Sequence, residues 1–396
     1  MAHVLFINAG SEGHINPTIG VVQELISRGE EVVYFAVEDF RERLERTGAE
    51  VRTIDGEKFI KAFISGGRDY LLERINGLLH TADVVIPTVL EQIKGKRFDY
   101  IIHDSMFGCG HLLAQILNLP AINSCTSFAQ TKASFDFSNK MPAEILKPIY
   151  DEFHSLKGMV MEKYNVKIDS PYEVFCNPAQ LTIVYTTREF QPFGETFDHT
   201  YKFVGPSLPL QIKQNNNIET AALKENSPIY ISLGTVFNRN IDFYKLCFGA
   251  FGNSDHTVVM SIGSQIRLAD LGEIPENFIV KRYVSQLEVL KYAKLFISHG
   301  GMNSTHEALY SGVPLIIIPQ SADQPLIASQ VVNIGAGIKL QKENLTAMQL
   351  YEAVEHVLNT PSFREAAENS RASLQKSGGY HQAVDEIFKF KNQYSI

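Results

Sequence analysis

Short apolar runs alternate with amphipathic stretches along most of the chain. His3–Ala9 is an unbroken apolar run closed by Gly10, the pattern of a parallel strand buried on both faces. After the loop GSEGHIN, Asn16 suits an N-cap and Pro17 the first helical position, which predicts a helix to about Arg28, stopped by Gly29. Glu31–Ala36 reads as a strand, Phe40–Thr47 as a helix closed by Gly48, and Glu50–Ile54 as another strand. Residues 59–93 have helical periodicity with a break at Ser65-Gly66-Gly67. Tyr100–His103 is the next strand, with Asp104 at its carboxyl end. A helix over Cys109–Leu117 and a strand over Pro120–Asn123, running out to Thr126-Ser127, follow. Lys132–Asn165 contains Pro142 and Pro148, which predicts broken helices. Strands at Leu181–Tyr185 and Lys202–Val204 complete the first half. Strand and helix in alternation define an open parallel α/β sheet.

Residues 207–227, SLPLQIKQNNNIETAALKENS, are polar and poor in core residues, as a linker is. The pattern then restarts. Strands are predicted at 229–233, 257–262 and 278–284, with Gly234-Thr235 after the first of them and a helix near Phe243–Gly252. The strand LFIS ends at Ser298, the loop His299-Gly300-Gly301 follows, and Asn303 and Ser304 open a helix through Leu309. Gly312-Val313-Pro314 stops that helix before the strand LIIIP. A helix around Pro325–Asn333, a strand GIKL and helices from Ala347 to Lys391 finish the chain. The fold class is therefore α/β, with two doubly wound domains facing each other across a cleft. The divisions are 1–206, a linker 207–227, a second domain 228–375, and a terminal segment 376–396 able to pack back on the first domain.

Composition narrows the function. At 396 residues, 44% hydrophobic and 20% charged, the chain can bury two cores and has the balance of a soluble globular protein. A net charge of −8 with scattered Lys and Arg argues against nucleic-acid binding. Cys109, Cys125, Cys176 and Cys247 have no CxxC spacing, which argues against zinc or redox sites and favours a reducing compartment. No signal peptide and no apolar run of membrane-spanning length is visible, so a cytoplasmic protein with no membrane span is expected.

The dinucleotide fingerprint fails twice: GSEGH lacks the spacing, and GCGHLL has Leu113 where the third glycine belongs. GxxxxGK[ST], DxD, GxSxG and HExxH are absent. What remains is the glycine loop at His299, which opens a helix. Free N–H groups and the positive end of the helix dipole at such a place bind phosphate. An ordinary strand–loop–helix unit would have the same outline, so the loop alone does not decide.

The wider pattern does. Tyr283, Gln286, His299, Gly300, Gly301, Asn303, Ser304, Glu307, Gly312, Pro314, Pro319, Asp323 and Gln324, together with Gly13-His14-Ile15-Asn16-Pro17, resemble the inverting UDP-sugar glycosyltransferases of the GT-B fold. Within these the chain is similar to the bacterial macrolide-type members of glycosyltransferase family 1, over essentially its whole length. The resemblance implies a UDP-sugar donor and a small hydrophobic acceptor as partners, no cofactor and no metal, and a monomer.

It also implies roles. His14 is the catalytic base and Asp104 holds its far ring nitrogen. His299, Gly301, Asn303 and Ser304 seat the diphosphate, and Glu307 accepts the ribose hydroxyls. Tyr283 stacks on uracil where many relatives have Trp, of which this chain has none. Val284 offers its backbone to the base, and Gln286 its amide to base or ribose. Asp323 and Gln324 bond the sugar hydroxyls, which favours glucose. Gly234, Thr235, Thr126 and Ser127 are further phosphate or sugar contacts, with loop hydroxyls satisfying backbone as the alternative. Phe59, Phe63, Met106, Phe107, Phe128, Phe135, Phe137 and Met141 form an acceptor wall suited to phenolics or macrolides, or else belong to the core. Domain closure over the donor is expected. Two other activities share these features: a UDP-sugar epimerase of the same fold, and an inactive binder of nucleotide sugars or hydrophobic ligands.

Overall fold

The structure, a computed structural model, describes residues 1–136, 141–208, 220–236 and 238–396. Most of the expected linker, and Phe137, lie outside the described residues. The chain forms two compact units, Met1–Pro209 with Gly378–Ile396, and Leu210–Ser377.

The first unit is built on seven parallel strands: β1 (His3–Ile7), β2 (Glu31–Val37), β3 (Glu50–Ile54), β4 (Tyr100–Asp104), β5 (Ala121–Cys125), β6 (Leu181–Val184) and β7 (Tyr201–Phe203). Their order is β3-β2-β1-β4-β5-β6-β7, so the direction of winding switches between β1 and β4. Open sheets of this kind bind ligands at the carboxyl ends beside that switch. Register decides what gathers there. Ile7 pairs with His103 and Asp104 with Ser124, so the chain leaves β1, β4 and β5 side by side.

Alternation along the buried strands divides the core. Val4 and Phe6 pack under the helices Glu12–Ser27 and Gly379–Gln393, while Leu5 and Ile7 pack under Leu71–Gln92. The terminal helix inserts Ala383, Val384, Ile387 and Phe390 into the first core. Its Lys391 forms a buried ion pair with Glu30 at 2.5 Å, and Tyr100 donates to the same carboxylate.

The second unit has six parallel strands: β8 (Ile229–Ser232), β9 (Val258–Ser261), β10 (Phe278–Lys281), β11 (Leu295–Ser298), β12 (Leu315–Ile317) and β13 (Gly337–Lys339), ordered β10-β9-β8-β11-β12-β13. Here the switch lies between β8 and β11, where Ser232 and Ser298 are register partners. Among the described residues no helix is long and apolar enough to cross a membrane.

Two elements differ from the sequence reading. The first helix begins at Glu12 rather than Pro17, with Ser11 rather than Asn16 as N-cap and Pro17 inside it. Ser11 O accepts from both His14 N and Ile15 N, so the segment read as a loop is the first helical turn. A proline there is tolerated because only its own backbone bond is forfeited, early in the helix. Likewise Ala143–Tyr164 is one continuous helix, with Pro148 early enough in it not to break it.

Candidate active site

His14 stands on the first turn of its helix, at the carboxyl edge of the first sheet. Two bonds from Asn8, one residue past β1, fix its backbone. Asn8 Nδ2 donates to His14 O at 3.0 Å, and Asn8 Oδ1 accepts from Gly10 N at 2.9 Å. Since a backbone N–H can only donate, the amide's orientation is set. Asp104 ends β4 and is fully buried. Its Oδ1 accepts from Met106 N at 2.9 Å and Phe107 N at 2.7 Å, and its Oδ2 meets His14 Nδ1 at 2.8 Å. Against a buried carboxylate, Nδ1 carries the proton, which makes Nε2 the basic nitrogen. Asp104 therefore closes the turn after its strand rather than capping the next helix, whose N-cap is Cys109. Gly108 at φ 103° bends this turn back, and Phe107 meets the His14 ring edge-on at 4.9 Å.

Beneath Asp104 lies a layer of buried hydroxyls. Tyr34 bonds Thr18 at 2.8 Å and Tyr185 bonds Ser124 at 3.0 Å. Burial pushes both phenols far above their usual range, so they stay neutral. His103, next to Asp104 but on the opposite face of the sheet, is pushed down to about 4 by burial and is also neutral. Thr126 Oγ1 lies 3.0 Å from His14 Nδ1.

In the second unit the two central strands end alike. Gly234 N donates to Ser232 Oγ at 3.3 Å, and Gly300 N to Ser298 Oγ at 3.2 Å, with φ of 74° and 84° at the two glycines. These paired turns use glycine for the left-handed backbone at the carboxyl edge, and Gly300 is buried against Ile317. Thr235 is exposed beside the first turn. His299 lies between Gly234 and Gly301; a Cβ at either would come within 2.6 Å of its ring. Burial lowers its pKa to about 4, so His299 is a neutral N–H donor rather than a cation. The helix Met302–Tyr310 starts at once behind it, with Asn303 and Ser304 in its first turn.

Glu307, one turn further on, is held by Gln286 Nε2 at 2.7 Å, and the same nitrogen reaches Ser304 Oγ at 3.1 Å. Tyr230 donates to Gln286 Oε1 at 3.2 Å. The half-buried Gln286 amide thus joins Glu307, Ser304 and Tyr230 in one network. Burial raises Glu307 to about 7, opposed by the Gln286 bond. Gln324 Oε1 accepts from Gln320 N at 2.7 Å and Ser321 N at 3.1 Å, so its amide presents N–H donors. Asp323 is the N-cap residue of the helix Gln324–Asn333. Tyr283 is 56% exposed, an aromatic face open to stacking, and Val284 follows it.

The expected acceptor wall separates. Phe63, Met106 and Phe107 are half-buried, and Phe107 packs on Phe63 at 5.8 Å. Phe59 and Phe128 are buried at 4% and 7%, the first in the main core and the second against Phe190, so they stand behind the surface. Phe135 packs on Tyr172 and Phe175. Met141 is half-buried, and so is Ser127, whose carbonyl accepts from the Cys125 thiol. Sequence reasoning missed Asn8 and Tyr230. Asn8, a polar residue just past an otherwise apolar strand, offered that signal, whereas Tyr230 lies inside β8 and offered none. Among the described residues, no group of three or more His, Cys, Asp or Glu side chains is placed to hold a metal ion.

Comparison with known proteins agrees with this geometry. A solved structure of the kitacinnamycin glycosyltransferase superposes with a TM-score of 0.85 at 25% identity, covering 98% of each chain. Two parallel α/β units of this kind are the fold of the GT-B glycosyltransferases. Residues 245–377 match the family model of the erythromycin biosynthesis protein CIII-like C-terminal domain. The chain is 37% identical to the uncharacterized UDP-glucosyltransferase YojK of Bacillus subtilis, over 99% of this chain and 98% of that one. It is 35% identical to the NDP-glycosyltransferase YjiC of the same organism, over 100% and 98%. It belongs to the macrolide-type branch of glycosyltransferase family 1.

Proposed function

We propose that the protein moves glucose from UDP-glucose, with inversion, to a hydroxyl of a small apolar acceptor, with His14 as general base. The observation that carries this reading is the 2.8 Å contact between His14 Nδ1 and the buried Asp104. A solvated loop histidine needs no buried carboxylate behind it. A base needs one, to hold the tautomer and to stabilise the imidazolium.

The acceptor oxygen attacks the anomeric carbon while its proton passes to Nε2 of His14. The bond from that carbon to the phosphate oxygen breaks, and UDP leaves with the electron pair. The helix N-terminus at Met302 and the neutral His299 N–H meet the growing charge on the diphosphate without a metal. A positioned base contributes roughly 10²–10⁴-fold, and the remainder falls to positioning and leaving-group stabilisation. Glu307 accepts the ribose hydroxyls, Tyr283 stacks on uracil, and Asp323 with the Gln324 amide bonds the sugar. The glucosyltransferase description of YojK supports glucose. Half-buried Phe63, Met106 and Phe107 beside His14 favour flat apolar acceptors.

The test is UDP-glucose with a panel of phenolics and macrolides in excess EDTA, read by mass spectrometry and by the anomeric proton coupling of the product. β-Glucosides are expected. An epimerised donor appearing without any acceptor would mark an epimerase, and a strict metal requirement would contradict the phosphate seat.

A further inference from the structure

The Thr126 hydroxyl lies on the same imidazole nitrogen that Asp104 engages, 3.0 Å from His14 Nδ1. We infer that Thr126 is a positioning residue for the base: a second acceptor on Nδ1–H that fixes the plane of the His14 ring. This rests on His14 being the base.

A single acceptor defines the direction of an N–H bond but lets the ring swing about that line. A second oxygen, off the line, removes the swing. The ring's other described anchors are themselves tied to backbone. Asp104 is held by two backbone N–H groups, and the His14 backbone by Asn8. Thr126 is 5% exposed and directly follows β5, whose last residue Cys125 accepts from Tyr185 N at 3.2 Å. When Nε2 takes up the acceptor's proton, Nδ1–H becomes a stronger donor, and two oxygens share it instead of one. Thr126 therefore favours the imidazolium over the neutral ring, and removing its hydroxyl makes His14 a weaker base.

The charged and titratable groups facing this site are few. Asp104 comes from β4. On the helix carrying His14, Glu12 is paired with Arg43 of the neighbouring short helix at 2.8 Å. Tyr34 and Tyr185 stand behind Asp104, and burial keeps both neutral. The Cys125 thiol is pushed up to about 12 by burial. With Tyr34, Tyr185 and Cys125 held protonated and Glu307 engaged by saturating UDP-glucose, the acid limb of a rate profile is assigned to His14.

The experiment compares the wild-type chain with Thr126→Val, Thr126→Ser and Thr126→Ala, using UDP-glucose and a phenolic acceptor that the wild-type chain glucosylates. Thr126→Val keeps the β-branched shape. It is expected to lower kcat about tenfold, with donor KM and the calorimetric Kd of UDP changed less than about twofold. At saturating UDP-glucose the acid limb of kcat/KM for the acceptor should move to lower pH by several tenths of a unit, Thr126→Ala should behave like Thr126→Val, and Thr126→Ser should restore both rate and profile. If donor KM and UDP Kd rise together while the acid limb stays put, Thr126 is a donor contact and the inference is wrong. Wild-type kinetics in both Thr126→Val and Thr126→Ala would also overturn it. A parallel His14→Ala variant separates the two levels. If that variant turns over normally, the base assignment itself fails; if it is inactive while Thr126→Val is normal, only the role of Thr126 fails.

Discussion

Replacing Glu307 by Gln should make the protein more stable and a poorer binder of UDP, and the stability gain should depend on pH. In the folded chain burial raises the Glu307 carboxyl from 4.5 to about 7, against the bond from Gln286. A carboxyl whose folded pKa lies above its unfolded one takes up a proton on folding between those values. Its penalty is absent at low pH, grows as pH rises through the window from 4.5 to about 7, and is complete above it. A shift of this size is worth at most about 3 kcal/mol, and solvent at the rim of a half-buried residue brings it to roughly 2. Glu307→Gln keeps the shape and removes the charge, at the cost of about 1 kcal/mol for a weaker bond to Gln286. Wild type and variant should therefore melt within a degree or two of each other at pH 5. At pH 8 the variant should lead by several degrees, since 1 kcal/mol is about 2–4 °C for a unit of this size. Scanning calorimetry of the full chain across that range measures the gap. UDP affinity, by titration calorimetry at pH 8, should fall roughly 10–100-fold as the ribose hydroxyls lose a charged acceptor. A gap that stays constant with pH, or that widens in favour of the wild type as pH rises, would refute the reasoning.

Two other substitutions probe the scaffold. Gly301→Ala places a methyl within 2.6 Å of His299 Nε2 at a position with an ordinary φ, so it should displace the ring without straining the backbone. UDP Kd is expected to rise roughly tenfold or more with little change in melting temperature, and an unchanged Kd would remove His299 from the phosphate seat. Lys391→Ala leaves Glu30 buried without its cation, which should cost about 3–5 kcal/mol in the first unit. Calorimetry should show that unit melting earlier, and the double variant Lys391→Met/Glu30→Gln should recover much of the loss; equal melting of wild type and Lys391→Ala would show that the pair contributes nothing.

The two sheets were legible because their strands are short apolar runs punctuated by glycine, and run length with flanking turn residues assigns those. Helix starts were less so. Asn16-Pro17 has the local chemistry of an N-terminus, but the backbone bonds at Ser11, and Asn8 holding the His14 carbonyl, start the helix a turn sooner. That displacement matters, because it puts His14 on a helix rather than on a loop. The His14 and Asp104 pairing came from the family resemblance, and the register of β1 with β4 shows how the two residues come together. The roles of Thr126 and Gln286 could not be read from the sequence. Each is a polar side chain with several partners within reach, and only three-dimensional packing decides that one turns to His14 and the other to Glu307. Phe59 and Phe128 illustrate the same limit for apolar residues: composition marks an aromatic as buried, without saying whether it lines a surface or fills the core behind it.

The central claim is that His14 removes the acceptor's proton while the nucleotide is held by other residues. The direct measurement is single-turnover transfer by His14→Ala, alongside calorimetric titration with UDP. Transfer should fall roughly 10²–10⁴-fold with UDP Kd within about twofold of wild type. Transfer at near wild-type rate, with UDP bound normally, would contradict it.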